Sequence, residues 1–473
     1  MKQYKYIIYI LIIILLSVNS VYALGKNKKS KTEQPQAAVQ QKEITHEQFT
    51  SDVHSIFSLK DCVDIAVRLN PEIRASVFNE EVYKSKIGQA WANYFPSISG
   101  GFEVSRSGTK YKGENFPSVY SSMYSTMGYV PNLSADMLLF DFGKTKATAD
   151  SAKRTYEAKQ ADTMESINNI IYNIKSTYFN ILFAQAQVKV YKDTVKDYEL
   201  QLNQAKGFYR LGKKAKIDVV TAEYNLGKAN VNLVKAENVL KVAKVQLSKI
   251  MGIPEYTNYE LSDELSMKKY DTPVEEIIKV AFDVRPELIS AQKSVEAAKM
   301  SLRAARRKYA PDLDVFANYG NGIGNNYDIE SGQVGVGLEY TGMNIAKIKK
   351  QVDEAKATYK MTQAQLDDVK DALYYNVKKN YIDLETARET IIMAKLALDQ
   401  AKEQYRQVTG RYKAGVGDAI ELKDGENTYL NARLDFYNAM LNYNVSAAAL
   451  EKEVGAPLVF SDENILNLTK EDL

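Results

Sequence analysis

The chain is predicted to be an α+β membrane protein in which one helix–strand–strand–helix–helix unit is used twice. Three observations lead there. Motifs recur at fixed offsets, two stretches are long enough for helices of unusual length, and short paired segments alternate apolar with polar residues.

The duplication comes first, because it sets the frame for the rest. Asn70-Pro71-Glu72-Ile73 returns as Arg285-Pro286-Glu287-Leu288, and Phe95-Pro96-Ser97-Ile98 as Ala310-Pro311-Asp312-Leu313. Both are shifted by 215 (286 − 71 and 311 − 96). Further on, Tyr209-Arg210-Leu211-Gly212 returns as Tyr412-Lys413-Ala414-Gly415, and Gly252-Ile253-Pro254 as Gly455-Ala456-Pro457. These are shifted by 203 (415 − 212 and 455 − 252). One length change of 12 (215 − 203) therefore separates the repeats, and it falls between Ile98 and the long helix that follows. The expected organisation is a signal peptide at 1–23, a flexible leader at 24–50, a first repeat at 51–258 and a second at 259–473.

The helices are read from breakers and period. No proline occurs between Pro131 and Pro254 or between Pro311 and Pro457. Within 144–211 the only glycine is Gly207, and within 346–414 only Gly410, its partner at offset 203. Each stretch predicts a helix of about 100 Å at 1.5 Å per residue. Ile167, Ile170, Ile174, Ile181, Val188, Val195 and Tyr209 belong to a seam spaced by three and four. Leu373, Val377, Leu384, Ile391, Leu398, Val408 and Tyr412 repeat it. That is the spacing of helices packed as a coiled coil. Thr177 and Asn380 interrupt the seams at matching places. Gly212 and Gly415 stand where the long helices must turn, and apolar helical patterns resume at 217–250 and 420–454.

The strands have period two. Leu313, Val315, Ala317 and Tyr319 alternate with Asp312, Asp314, Phe316 and Asn318, and Val334, Val336, Leu338 and Tyr340 alternate likewise. Ile98, Phe102 and Val104, then Leu133, Ala135, Met137 and Leu139, do so in the first repeat. Strands are expected at about 97–141 and 312–341. One apolar and one polar face suits a barrel wall between lipid and water. Four such strands cannot close alone, since single-chain barrels begin at eight, and lipid does not tolerate an open sheet edge. Several chains must then share one barrel.

The first residues support export. Lys2 and Lys5 precede an apolar run at 6–16, and Val21-Tyr22-Ala23 ends in a small residue suited to cleavage. No later stretch matches the ~18 apolar residues of a membrane helix. Lys+Arg is 62 against Asp+Glu 59, which offers no basic stripe for nucleic acid. Cys62 is the only cysteine, so no intrachain disulfide forms, and it reads as a buried apolar residue. His46 and His54 are the only histidines, too few for a zinc site, and no P-loop, GxSxG or HExxH occurs. Nothing in the sequence points to an enzyme or a cofactor.

With these residues in hand, the chain resembles the TolC family of outer-membrane efflux proteins over nearly all of its mature length. The resemblance is carried by Asn70-Pro71-Glu72, by Ala90 with Phe95-Pro96, and by Leu139-Phe140-Asp141-Phe142-Gly143. It is carried further by Tyr209 with Gly212, Arg411-Tyr412 with Gly415, and the ends at Gly252-x-Pro254 and Gly455-x-Pro457. It implies a homotrimer with a twelve-stranded barrel in outer-membrane lipid and a twelve-helix tunnel in the periplasm. It implies a periplasmic adaptor and an inner-membrane pump of the RND, ABC or MFS class as partners. No nucleic acid, cofactor or catalysis is implied.

The resemblance also implies site residues. Pro96 and Pro311 mark the swivel from helix to strand. Glu421 and Asp424, three apart on one helix, match the acidic ring of the periplasmic entrance. Asp218 and Tyr412 match two gate positions. Gly212, Gly415 and Val416 match the tips where adaptors dock. The chain departs from the pattern at one place: Gly417 stands where the family has a gate arginine, and Lys213, Lys214 or Lys216 is expected to stand in. The alternative from another class is a periplasmic adaptor or coiled-coil scaffold. Such proteins usually carry one helical hairpin, set among compact β-domains, whereas here the hairpin recurs and each copy joins alternating strands.

Overall fold

A computed structural model describes residues 56–109, 124–253, 259–263, 265, 268–323, 328–340, 344–460 and 465. The expected signal peptide and leader lie outside the described residues. The described residues belong to one compact unit, Val53–Leu473.

The first half runs through β1 (Ile56–Phe57), α1 (Leu59–Leu69), α2 (Pro71–Trp91), β2 (Ser97–Thr109), β3 (Tyr124–Phe140), α3 (Lys144–Arg210) and α4 (Lys216–Met251). The second half repeats the order with β4 (Glu260–Leu261), α5 (Val274–Val284), α6 (Pro286–Arg307), β5 (Asp312–Ile323), β6 (Asp328–Glu339), α7 (Ile345–Lys413) and α8 (Ala419–Val454). The long helices have 67 and 69 residues, so each reaches about 100 Å. The two-residue strands β1 and β4 pair in parallel, Ile56 opposite Glu260 and Phe57 opposite Leu261. The period-two reading did not find them, because two residues carry no period.

β2, β3, β5 and β6 form one antiparallel sheet in that order. Its register sorts the faces. Ile98, Ala135, Ala317 and Val334 form one cross-strand row. Gly100, Leu133, Tyr319 and Gly332 form another on the same side. Ser99, Ser134, Asn318 and Gln333 make a row on the opposite side, with the Ser99 and Ser134 hydroxyls 2.6 Å apart. The apolar face is left open in the single chain: Ile98 is 68%, Val334 55% and Leu338 67% exposed. Phe316, like Val130 and Leu138, is an apolar residue on the polar face. Its ring lies across Gly335, where an added Cβ would sit 2.6 Å from it.

Each repeat buries its own core. In the first, Cys62, Ile174, Tyr178, Leu247, Met251 and Tyr259 pack together, and burial pushes the Cys62 thiol up to about 12. In the second, Val377, Ile391, Phe436, Met440 and Leu450 do the same. Each such aliphatic or aromatic side chain contributes about 1.5–3 kcal/mol by leaving water. The predicted seams supply much of this. α3 adds a second stripe at Phe183, Ala186, Val190 and Thr194, because it is also packed against α2, α6 and α8. Tyr178 carries its hydroxyl inside by donating to Asp263 Oδ2 at 2.9 Å.

The recurring motifs are joints. Asn70 caps α2 by accepting from the Glu72 and Ile73 N–H groups, and its amide donates to Ile250 O at 2.7 Å. Arg285 holds the same place in the second repeat and donates to Lys452 O. Asp141 starts α3 by accepting from Thr145 N–H at 2.6 Å and Tyr94 Oη–H at 2.8 Å. Its neighbour Phe142 takes a left-handed φ of 55°, which swings the chain from strand to helix.

Candidate functional site

The two hairpin turns, α3–α4 and α7–α8, form the end of the molecule remote from the sheet. Both long helices stop in the same way. Gly212 has φ +71°, its N–H donates to Tyr209 O at 3.0 Å, and the Lys213 N–H donates to Phe208 O at 2.9 Å. Gly415 has φ +77°, its N–H donates to Tyr412 O at 3.0 Å, and the Val416 N–H donates to Arg411 O at 3.1 Å. This Schellman closure needs a left-handed residue, which is why glycine recurs at offset 203.

The turns diverge one residue later. The Gly417 N–H also donates to Arg411 O, at 3.0 Å. A Cβ on Gly417 would lie 2.7 Å from Tyr412 N and 2.9 Å from Arg411 C, both backbone atoms. The turn has no room for an arginine, or for any side chain, at this position.

The return helices start differently as well. Ala215 has no capping group, so Asp218 accepts from the Ala215 N–H at 3.0 Å. At the matching place in the second turn stands Asp418, which accepts from the Ile420 N–H at 3.3 Å. Glu421, the repeat partner of Asp218 (421 − 218 = 203), is thereby free of capping duty. It takes Arg411 instead, Nη1 to Oε1 at 2.6 Å, in an exposed ion pair. The turn thus brings a cation to the acidic position from residue 411 rather than 417.

Asp218, Tyr412 and Lys214 meet between the two turns. Lys214 Nζ lies 5.4 Å from the Tyr412 ring centre. Tyr412 is buried, and burial, then the charge of Asp218, raises its phenol above the ordinary value. Lys214 is thus the lysine that reaches the second turn, while Lys213 and Lys216 are exposed. Asp424 lies one turn beyond Glu421 and is exposed. Val416 is 73% exposed, as are Leu211 at 70%, Ile217 at 67% and Ile420 at 66%. Pro96 and Pro311 are at the other end, directly before β2 and β5. Phe95, ahead of Pro96, has the extended backbone that proline imposes on its predecessor.

Arg411 stands in the sequence as a motif residue with no site role, yet a signal for one was there. Its repeat partner is the apolar Phe208 (411 − 208 = 203), so the charge exists in one turn only. Among the described residues no group of His, Cys, Asp and Glu could hold a metal ion, and no helix is long and apolar enough to cross a membrane.

Comparison with known proteins places this geometry. The sequence profile described as outer membrane efflux protein matches residues 63–253 and 277–456, one segment in each repeat. The outer membrane protein TolC of Escherichia coli is 25% identical over 418 residues, covering 82% of this chain and 80% of that protein. The probable efflux pump outer membrane protein TtgC of Pseudomonas putida is 20% identical over 404 residues, covering 84% and 83%. Two solved structures share the fold. The CmeC outer membrane channel of Campylobacter jejuni aligns with TM-score 0.72 at 18% identity, over 86% of this chain and 87% of that one. The open-state MtrE outer membrane channel of Neisseria gonorrhoeae aligns with TM-score 0.67 at 19% identity, over 91% and 98%. The periplasmic adaptor and scaffold alternative falls away, because the match spans both repeats. The chain belongs to the outer membrane efflux protein family and is an outer-membrane duct.

Proposed function

We propose that three copies of this chain close one twelve-stranded barrel, continued by a helical tunnel into the periplasm, and pass cargo delivered by an inner-membrane RND, ABC or MFS pump through a periplasmic adaptor. One observation carries the reading. The four-stranded sheet has a continuous apolar face, and β2 and β6 each pair on one side only among the described residues. Lipid leaves no place for such edges, so neighbouring copies must pair with them.

The turns are the entrance in this account. Glu421 and Asp424 from each copy form acidic rings, which favour cations and repel anions. Arg411 offsets much of the Glu421 charge, so Asp424 carries the larger share of the preference. Asp218, Tyr412 and Lys214 bind one turn to the other and serve as the gate. The Lys214 contact takes the place of the arginine that Gly417 excludes. Gly212, Gly415 and Val416 form the adaptor-docking tips. The exposed Leu211, Ile217, Val416 and Ile420 support this, since apolar side chains held at a tip favour a protein partner. Pro96 and Pro311 act as the swivel between tunnel and barrel.

The test is conductance of the purified protein in planar bilayers. The wild type is expected to give small, cation-preferring currents. Glu421→Gln with Asp424→Asn should remove most of that preference, and Asp424→Asn alone more of it than Glu421→Gln alone. Unchanged selectivity in the double variant would discard the ring.

A further inference from the structure

Below the tips the two hairpins meet along α3 and α8, and their contact is polar. Asp193 of α3 pairs with Arg433 of α8 at 3.1 Å. The Tyr405 hydroxyl of α7 reaches Asp197 Oδ2 of α3 at 3.5 Å. Gln201 Nε2 of α3 donates to Glu426 Oε2 of α8 at 3.0 Å. Each of these bonds crosses from one hairpin to the other. The tip contact between Lys214 and Tyr412 continues the same line.

Glu426 is the anomaly in this ladder. It is 4% exposed, and its second oxygen, Oε1, is buried with no hydrogen-bond partner. Next to it, Gly425 lets α8 close on α7: an added Cβ would sit 2.7 Å from Val408 Cγ2. The Tyr405 and Tyr429 rings stack 5.5 Å apart at the same level.

The groups around Glu426 do not neutralise it. α3 brings Asp197 and the Tyr198 phenol, besides Gln201. α7 brings the Tyr405 phenol. α8 brings Arg433, which is taken by Asp193, and α4 brings Leu226 and Ala229 against Tyr198. Lys413 and Arg433 act on Asp197. An uncompensated carboxylate in a dry contact is costly, and the neutral acid is not. Burial first, then the charge of Asp197, raises Glu426 to about 7 against the hydrogen bond from Gln201.

We propose that Glu426 is a proton-operated latch, its neutral acid holding the two hairpins together and its carboxylate loosening them so that the entrance opens. The proposal rests on the reading of the turns as the gated entrance. Separating the hairpins admits water and returns the group to an ordinary glutamate value of about 4.3. The sign follows from linkage. Below about 4.3 both states hold the proton, and the closed state keeps its full advantage. From there to about 7 only the closed state holds it, and the closed-to-open ratio falls about tenfold per pH unit for each latch. Above about 7 both states are ionised and the dependence ends.

Open probability of the full-length protein in planar bilayers between pH 5 and pH 8 tests this. The wild type should open at least tenfold more at pH 7 than at pH 5, then level off. Glu426→Gln keeps the volume and can still accept from Gln201, so it should stay at the low-pH level throughout. Asp197→Asn removes the nearest like charge, lowers the closed-state value and should make the rise level off at lower pH. A Glu426→Gln variant that follows the wild-type profile, or an Asp197→Asn profile that levels off where the wild type does, would overturn the latch. A protein that conducts with a flat pH profile would refute the latch and leave the duct standing. No conducting species in any variant would sink both.

Discussion

Val334→Arg is expected to keep the protein out of the outer membrane. Val334 sits mid-strand in β6, in a row with Ile98, Ala135 and Ala317, and is more than half exposed in the single chain. If that row faces lipid, an arginine near the midplane costs about 2–4 kcal/mol in each copy. Asn318→Arg makes the opposite case. Its strand position is one residue from Ala317, so its side chain joins the row with Ser99, Ser134 and Gln333. An arginine there faces water and should cost little. Urea titration of folding into vesicles measures both. A large loss at 334 with near-wild-type behaviour at 318 supports the assignment of faces, and equal losses argue against it.

Arg285→Ala should be the most damaging single change in the helical part. The guanidinium is 3% exposed and lies 3.1 Å from Glu165, 3.5 Å from Glu287 and 3.8 Å from Glu453. It also donates to Lys452 O, which ties the start of α6 to the end of α8. Removing it leaves three carboxylates facing one another with only Lys452 acting on Glu165, a loss of about 3–5 kcal/mol. Glu165 is raised already, by burial above all, with Arg285 acting against that rise. Without Arg285 it would rise further, and the folded state would be penalised once that group ionises. The loss should therefore be largest near neutral pH and shrink as the medium is acidified toward pH 5. Thermal melts followed by circular dichroism at both pH values check this. Arg154→Ala, at a more exposed pair with Glu157, should change stability by no more than about 1 kcal/mol.

Much of the architecture is legible in the sequence because it is written twice. The two offsets locate the joints, the missing prolines delimit the long helices, and the period-two segments sort into the faces that the sheet register has. What escaped has a common cause. β1 and β4 are too short to carry a period. The second stripe on α3 answers to helices far away in the chain. The Arg411–Glu421 pair joins residues ten apart (421 − 411) that only the Gly415 turn brings together. Glu426 lies in a polar run, Lys423-Asp424-Gly425-Glu426-Asn427, that reads as a solvated helix face. Its burial follows from contact with α3 and from the space left by Gly425, neither of which is visible in local spacing.

Cysteine accessibility along β5 tests the central claim most directly. The only native cysteine, Cys62, is fully buried, so single-cysteine variants can be read without background. Cysteines at Asp314 and Asn318 should react with a membrane-impermeant thiosulfonate in the bilayer-inserted protein, and the bulky adduct should reduce the current. Cysteines at Val315 and Ala317 should neither react nor alter it. Alternate reactivity with current block on the polar face is the result expected of a duct wall. Equal reactivity at all four positions, with no effect on current, would contradict it.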